Sequence, residues 1–353
     1  MRISFFIGRM EGGGAEKVIS VLANYYVKCG NNVDLVLLLG PEVNNDLFHL
    51  SDQIRIIDMS SNRVGYISNL CHWFRSIRHY VRINKPDKIV SFIGRINALV
   101  LTATLGLNVP ILVSERSNPK TDGRSFLMRK YCDIIYRRAA AIVFQTKFAQ
   151  NCFSNKLNRI SHIIPNPIEI IDINTTDVNN DLIVTAGRLQ PEKNHAMLIT
   201  AMGILHKQKP NVRCEIFGEG ALRELLQSQI ELENLDEVVT LPGVKNNLLE
   251  YEAKAKIFVL TSNYEGLSNA LMEAMMLGKI CISTDYDGVE DIINNGVDGI
   301  IIPRNDPQKL AEILLEVLDT DNYLFMRQNA RKKMMSYSKP IILKQWDSVI
   351  QIM

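Results

Sequence analysis

The stretch ISFFIGRMEGGGAEKVISVLANYYVKC, residues 3–29, changes its hydrophobic period part-way along. It opens with a short apolar run closed by a glycine, the pattern of a strand buried on both faces. From Ala15 onward the apolar positions fall at Val18, Leu22, Tyr26 and Cys29, the three- and four-residue spacing of a helix packed along one side. Gly12, Gly13 and Gly14 make the turn between them. Strand, glycine turn and helix form the opening unit of an α/β fold, and the chain repeats it. NVDLVLLLG, DKIVSFIG, VPILVS and AAIVFQT read as further strands, with helical patterns between most of them. Through IIPNPIEIIDINTTDVNND, residues 163–181, the periodicity stops and Pro, Asn, Thr and Asp take over, which marks a linker. The alternation restarts with DLIVTAGRL and runs through VRCEIFG, VVTLPG, AKIFVLTS and KICIST to a helical tail from Pro307. Strands alternating with helices predict parallel sheets flanked by helices, here twice. Ligands of such sheets bind beyond the carboxyl ends of the strands, and two sheets face to face leave a cleft.

Size agrees with two domains, since 353 residues exceed one average domain. A chain 46% hydrophobic and 22% charged is ordinary for a soluble globular protein. Cys29, Cys71, Cys132, Cys152, Cys214 and Cys281 are scattered without metal-ligand spacing, which suits thiols in a reducing compartment. The histidines show no His-x-x-x-His pair, so a structural zinc site is not expected. ISFFIG is too short for a signal peptide. ALVLTATLGLNVPILV, residues 98–113, holds Gly106, Asn108 and Pro110 and reads as helix, turn and strand rather than a membrane span.

The net charge of +2 hides an asymmetry. Residues 1–170 carry 22 Lys and Arg against 12 Asp and Glu, and the remainder carries 18 against 26. A basic half predicts a negatively charged partner. No nucleic-acid-binding motif is present, which leaves an anionic lipid surface.

Residues just after each strand are the candidates for chemistry. After the first strand comes GRMEGGGAEK, where successive glycines let backbone N–H groups approach a phosphate or sugar. The spacing fits neither Gly-x-Gly-x-x-Gly nor a P-loop, and a tight structural turn explains it equally well. After the first strand of the second half comes GRLQPEKN, with Arg188 and Lys193 five positions apart across a loop containing Pro191. A forked cation and a point-charge cation at one strand end suit a diphosphate, although solvated surface charges have the same spacing. GEG, residues 218–220, is either a second close-approach site or a plain turn. NYEGLSNALMEAM, residues 263–275, puts Glu265 before a turn and Glu273 inside a helix beginning near Ser268. A diphosphate can take the N–H groups of Leu267, Ser268 and Asn269 at that helix start. Carboxylates accept hydrogen bonds from sugar hydroxyls, yet Glu265 also reads as a first-turn acid and Glu273 as a solvent-facing one.

Taken in order, GGGAEKV, SERSNP (114–119), IPNPI (164–168), GRLQPEKN, GEG and EGLSNALMEAM resemble the GT4 family of retaining glycosyltransferases. The interval from Glu265 to Glu273 matches that family's Glu-x7-Glu motif, and the resemblance spans essentially the whole chain. It points toward bacterial enzymes that extend lipid-linked oligosaccharides for O-antigens, capsules or glycoproteins. It implies a GT-B fold, two Rossmann-like doubly wound domains facing across a cleft. The first domain would be residues 1–165, acceptor-binding, joined by the last helix at about 338–353 crossing back. Residues 166–180 would be the linker and 181–337 the nucleotide-sugar domain. The resemblance also implies that Arg188 and Lys193 grip the donor diphosphate, Glu273 holds the nucleotide ribose and Glu265 touches the donor sugar. Gly13, Gly14, Gly187, Gly218, Leu267, Ser268 and Asn269 would line the donor site. Relatives often have His where this chain has Arg116, so no catalytic histidine carries over. Glu115 and Arg116 are placed only in the acceptor or sugar region, with Arg116 a fixed charge and never a base.

DYD, residues 285–287, looks like the Asp-x-Asp of metal-dependent transferases. It leads into GVEDII, a loop of the GT4 pattern, and the leaving group already has two cations and a helix start. No metal and no other cofactor is expected. The resulting expectation is transfer of a hexose or N-acetylhexosamine from a nucleotide sugar, UDP-linked in the leading case, to a polyprenyl-diphosphate-linked saccharide. The enzyme would work from the cytoplasm, held peripherally on the anionic inner membrane through its basic first domain. A nucleotide-sugar epimerase on the same fold and an inactive nucleotide-sugar-binding protein are the alternatives.

Overall fold

The computed structural model describes residues 1–61, 65–170, 178–320 and 322–353. They form two compact units, residues 1–167 with 340–353 and residues 168–339. The predicted linker straddles this boundary, and its residues 171–177 lie outside the described residues, as does Arg63 of the basic first half.

The first unit contains seven parallel strands. They are β1 (Arg2–Ile7), β2 (Asn32–Leu37), β3 (Arg55–Asp58), β4 (Lys88–Phe92), β5 (Ile111–Glu115), β6 (Ala141–Phe144) and β7 (Ser161–Ile163). Their order is β3-β2-β1-β4-β5-β6-β7. Every residue of β4, β5 and β6 is buried, which accounts for their continuous apolar runs. The first turn follows its sequence pattern. Gly13 caps the helix Gly14–Lys28, and Val18, Ile19, Leu22, Ala23, Tyr26 and Val27 bury one face. Gly12 adopts φ +140°, a conformation that L side chains rarely take.

The last helix, Lys339–Gln351, packs on this unit. Trp346 is fully buried and stacks on Phe92 at the end of β4, with ring centroids 5.8 Å apart. Lys88, at the other end of β4, donates to the carbonyls of Ile350 and Gln351. A lysine there answers the carbonyl end of the helix, where the backbone dipoles leave negative charge.

The second unit contains β8 (Asn179–Ala186), β9 (Arg213–Phe217), β10 (Val239–Gly243), β11 (Ala255–Leu260), β12 (Ile280–Thr284) and β13 (Ile300–Ile302). All pair in parallel in the order β10-β9-β8-β11-β12-β13. Neighbouring residues enter opposite cores. Ile183, Ile257 and Ile280 join one cluster, while Val184, Phe258 and Cys281 join the other. That two-residue alternation with both sides buried requires helices on both faces. Ile168 donates to the Tyr337 carbonyl and accepts from Lys339, so the strand entering this unit lies beside the one leaving it. Among the described residues no helix is long and apolar enough to cross a membrane.

Because Trp346 fills the space over Phe92, Trp346→Ala should cost about 3–5 kcal/mol, the usual range for a buried aromatic truncation. Chemical denaturation should show the loss in the first unit's transition. A change within about 0.5 kcal/mol, the scale of a surface substitution, would mean the helix is only loosely held.

Candidate active site

In the second sheet the strand order reverses between β8 and β11. Loops leaving the carboxyl ends of these two strands diverge to opposite faces, and the space between them is where such sheets take ligands. GRLQPEKN follows β8 and TSNYEGLSN follows β11, so the sequence puts its two richest polar segments at this point.

Local geometry explains how they meet. Pro191 opens a short 3₁₀ turn ending at Lys193, and Asn194 follows at φ +49°, which Asn tolerates better than most residues. A Cβ on Gly187 would lie 3.3 Å from Lys193 Cδ and Cε, so glycine there lets the lysine stem fold back over the strand end. Thr261 Oγ1 donates to the Lys193 carbonyl at 3.0 Å, and Asn263 N donates to the Glu192 carbonyl at 2.8 Å. The two loops are thereby tied together. Lys193 Nζ donates to Glu265 Oε1 at 2.6 Å, and Ser262 Oγ donates to the same oxygen at 2.6 Å. The Lys193 and Glu265 side chains are 15% and 11% exposed. Glu265 is therefore not a helix-dipole acid: it lies outside the helix and answers a cation from the neighbouring loop.

The two predicted diphosphate cations differ. Arg188 is 76% exposed and pairs with Glu192 at 3.1 Å, a surface pair of little energetic weight. Lys193 is mostly enclosed, contrary to the picture of two equally solvated charges. The helix after Glu265 runs Asn269–Met276, capped by Ser268 Oγ accepting from Leu271 N at 3.4 Å. Leu267 packs on the core beside it, and Glu273 is half-buried in its second turn. Ser268 thus spends its side chain on its own helix.

Gly218 and Gly220 have a packing reason to be glycine. A Cβ at Gly218 would lie 2.0 Å from the Gly187 carbonyl oxygen, and one at Gly220 would lie 2.4 Å from that of Leu189. These contacts let the loop after β9 pass against the loop after β8. In DYD, Asp285 accepts from Arg304 N at 2.9 Å and Nε at 3.1 Å, while Tyr286 is buried. Among the described residues no group of three His, Cys, Asp or Glu is arranged to hold a metal ion.

In the first unit the predicted ligand residues are occupied by the protein itself. The Glu16 carboxylate accepts from Gly12 N at 2.6 Å and Gly13 N at 2.9 Å, so a ligand at Gly13 must displace it; Gly14 begins the helix. Glu115 is fully buried, with both oxygens bonded to Arg124 at 3.0 Å and one to Tyr136. Burial works against the Arg124 charge, but Glu115 and Asp122 outweigh it and hold that guanidinium above its ordinary value. Arg116 is 8% exposed. It donates to Ser114 Oγ at 2.7 Å and Asn166 Oδ1 at 2.9 Å, and its guanidinium lies 5.1 Å from the Trp346 ring and 5.7 Å from that of Phe92. Burial lowers it to about 9, still cationic at neutral pH. Glu115 and Arg116, expected in the acceptor or sugar region, both hold the end of β5 to its neighbours.

Two residues were not singled out from sequence. Arg304, after β13, reaches both Asp285 and the Asn263 carbonyl at 3.2 Å. His195, two positions beyond Lys193, is 3% exposed, and among the described residues neither ring nitrogen has a hydrogen-bond partner. Burial, with Lys193 adding to it, lowers His195 to about 4. The Gly187 and Arg188 backbone opposes that shift from nearby without making a well-formed hydrogen bond to the ring. Adjacency to Lys193 was the only signal available in the sequence.

A neutral buried His195 has a consequence for pH. The unfolded chain takes up its proton near 6.5 and the folded chain only near 4, so the unfolded state binds more protons between those values. Stability should fall as pH drops through this window, by roughly 3 kcal/mol from this group. His195→Met should flatten the acid limb of a urea-denaturation series, and an unchanged slope would contradict it.

Residues 168–339 match the family model described as glycosyl transferases group 1. The chain is 27% identical to the GalNAc-alpha-(1->4)-GalNAc-alpha-(1->3)-diNAcBac-PP-undecaprenol alpha-1,4-N-acetyl-D-galactosaminyltransferase of Campylobacter jejuni, covering 99% of this chain and 98% of that protein. It is 25% identical to a second Campylobacter jejuni enzyme, the N-acetylgalactosamine-N,N'-diacetylbacillosaminyl-diphospho-undecaprenol 4-alpha-N-acetylgalactosaminyltransferase, over 94% of each. Among solved structures, Anabaena HepE in complex with UDP matches with a TM-score of 0.83 at 16% identity, covering 100% of both chains. That last likeness is one of fold, two parallel-sheet Rossmann-like domains of the GT-B type. The chain is a glycosyltransferase, and its residues 168–339 match the glycosyl transferases group 1 model.

Proposed function

We propose that the chain transfers a hexose or N-acetylhexosamine from a nucleoside-diphosphate sugar, UDP-linked, to a polyprenyl-diphosphate-linked saccharide, with retention at the anomeric carbon. The observation that carries this reading is the Lys193–Glu265 pair at 2.6 Å where the second sheet reverses, with Arg188 exposed beside it. The relatives' names add support, since both act on undecaprenyl-diphosphate-linked saccharides and transfer N-acetylgalactosamine. UDP in the HepE structure supports the donor.

In this reading the bond from the anomeric carbon to the diphosphate oxygen breaks, and a bond to the acceptor hydroxyl oxygen forms. The hydroxyl proton leaves on the departing nucleoside diphosphate. The barrier lies in separating an anionic diphosphate from an oxocarbenium-like sugar, so fixed positive groups at the leaving oxygens are the main catalytic term. Arg188 and Lys193 supply them, and Lys193 divides its donors between Glu265 and the diphosphate. Glu265, fixed by Lys193 and Ser262, turns its other oxygen to the donor sugar, and Glu273 accepts from the ribose hydroxyls. No metal enters this reading.

On this reading the enzyme works at the cytoplasmic face of the inner membrane, where its acceptor's lipid lies, held peripherally by the basic first unit. Arg75 and Arg82 are exposed there. Arg78 is not available for that contact, because it donates to the carbonyls of Ala103 and Leu105. A mass-spectrometric screen of nucleotide sugars against polyprenyl-diphosphate saccharides tests the whole reading. A glycosylated lipid is the expected product, and donor hydrolysis or epimerisation without transfer would overturn it.

Arg188→Ala and Lys193→Ala should each lower kcat by roughly 10²–10³-fold, the scale for a lost transition-state donor. Only Lys193→Ala should also lower the melting temperature, because it strands a mostly enclosed Glu265 at a cost of about 1–3 kcal/mol. Lys193→Met combined with Glu265→Gln should recover the stability and leave turnover impaired. Near-normal turnover in both single variants would remove the role.

The two acids should separate in calorimetry with the nucleoside diphosphate alone. Glu273→Ala should weaken binding, whereas Glu265→Gln should leave it equal or tighter because Lys193 is freed while sugar transfer fails. Equal losses in both variants would defeat this division.

A further inference from the structure

The first unit holds a hollow of about 360 Å³ lined by Arg137, Lys156, Leu157, Arg159 and Ile160. Leu157 is buried and Ile160 packs on the core, so the floor is fixed and apolar. The rim is three cations. Arg137 belongs to the 3₁₀ turn Tyr136–Arg138, and Lys156 and Arg159 belong to the 3₁₀ segment Asn155–Ile160. All three are exposed, and none of their side chains has a protein partner among the described residues. The neighbouring acid, Asp133, accepts from Ser154 N at 3.0 Å and so is engaged in holding the second segment in place. Three like charges around one hollow repel each other until an anion enters.

The position excludes the sheet's ordinary ligand crevice. One 3₁₀ turn leads into β6 and the other into β7, so the hollow lies at the amino-terminal ends of these strands. Crevices of open parallel sheets lie at the opposite, carboxyl ends. The hollow also contains none of the residues assigned to the donor.

We propose that this hollow is a phosphate-binding site, in which the Arg137 and Arg159 guanidiniums and the Lys156 ammonium take the oxygens of one phosphate group. Two forks and a point charge match a tetrahedral anion's several acceptors, and the partly apolar floor lowers competition from water. The helix Phe126–Ile135 runs directly into the Arg137 turn and leaves Phe126, Leu127 and Ile134 at 70%, 78% and 61% exposure. Lys130 Nζ lies 5.0 Å from the Phe126 ring on the same helix. An exposed apolar stripe beside a phosphate site favours a phosphate carried by a lipid headgroup, with the stripe entering the acyl boundary. The site does not depend on the donor or acceptor assigned above.

The test uses the intact chain in two arms: calorimetry with inorganic phosphate, and flotation with mixed phosphatidylcholine and phosphatidylglycerol vesicles. The variant is R137Q with K156Q and R159Q, all on exposed side chains. An equally charged control, K28Q with K85Q and K147Q, removes three exposed cations elsewhere in the same unit. The first variant should lower vesicle partitioning by roughly 100-fold, the product of three basic residues' effects at an anionic surface, and the control should lower it much less. Loss in the vesicle arm, with or without loss in the phosphate arm, identifies a lipid headgroup. Loss in the phosphate arm alone supports the site and identifies free phosphate as its ligand. Wild-type binding in neither arm, or equal loss in variant and control, overturns the proposal in favour of diffuse charge. Sugar transfer to a soluble acceptor analogue should be unchanged in the variant, so failure here is distinct from failure of the transferase reading.

Discussion

A parallel sheet whose strand order reverses must leave a seam where the loops after two adjacent strands turn away from each other. In the second unit that seam falls between β8 and β11, and the polar groups there have no ladder partners to satisfy them. The Lys193–Glu265 pair closes it. Its two members lie 72 positions apart in sequence and reach each other only because β8 and β11 are neighbours. Thr261 and Asn263 add hydrogen bonds across the same seam and Ser262 holds Glu265 within its own loop, so cation and acid are held in place by more than each other. A mostly enclosed ion pair of this kind is weak evidence for stability. Its value is in placing a positive and a negative group, both partly shielded from water, at the point where such sheets take ligands.

The first unit uses buried charge differently. Glu115 and Arg124 tie the end of β5 to the loop that follows it, and Gly94 makes room, since a Cβ there would lie 2.3 Å from Arg124 Nη1. Arg116 sits over Trp346 and Phe92 and joins β5 to the last helix and to residues 164–166. Residues 340–353 are thus part of the first unit, and the buried Arg116 ties β5 to them through Trp346.

The positive balance of the first half resolves into two populations. Arg78, Arg116, Arg124 and Arg138 donate inward to carbonyls and carboxylates. Arg137, Lys156 and Arg159 remain outside and converge on one hollow. A count of basic residues treats them alike, although the four that donate inward are not available to an anionic partner.

Much was legible in the sequence because it depends on local order. Apolar runs located the longer strands and missed the short edge strands β3, β7 and β13, since burial on two faces writes its period directly into the chain and a short edge does not. The resemblance carried by GRLQPEKN and EGLSNALMEAM, each after a strand, nominated Arg188, Lys193, Glu265 and Glu273, where spacing alone left them open. What the sequence could not decide is which charged groups meet. Glu265 read equally well as a helix-dipole acid, Arg188 and Lys193 looked alike, and Glu115 and Arg116 looked as available as either. His195 gave no pattern at all. Pairing and burial depend on which strands become neighbours and which helix returns, and those contacts join residues 70 to 260 positions apart. Periodicity carries no information over that range, so exposure and partnership were decided by the tertiary structure alone.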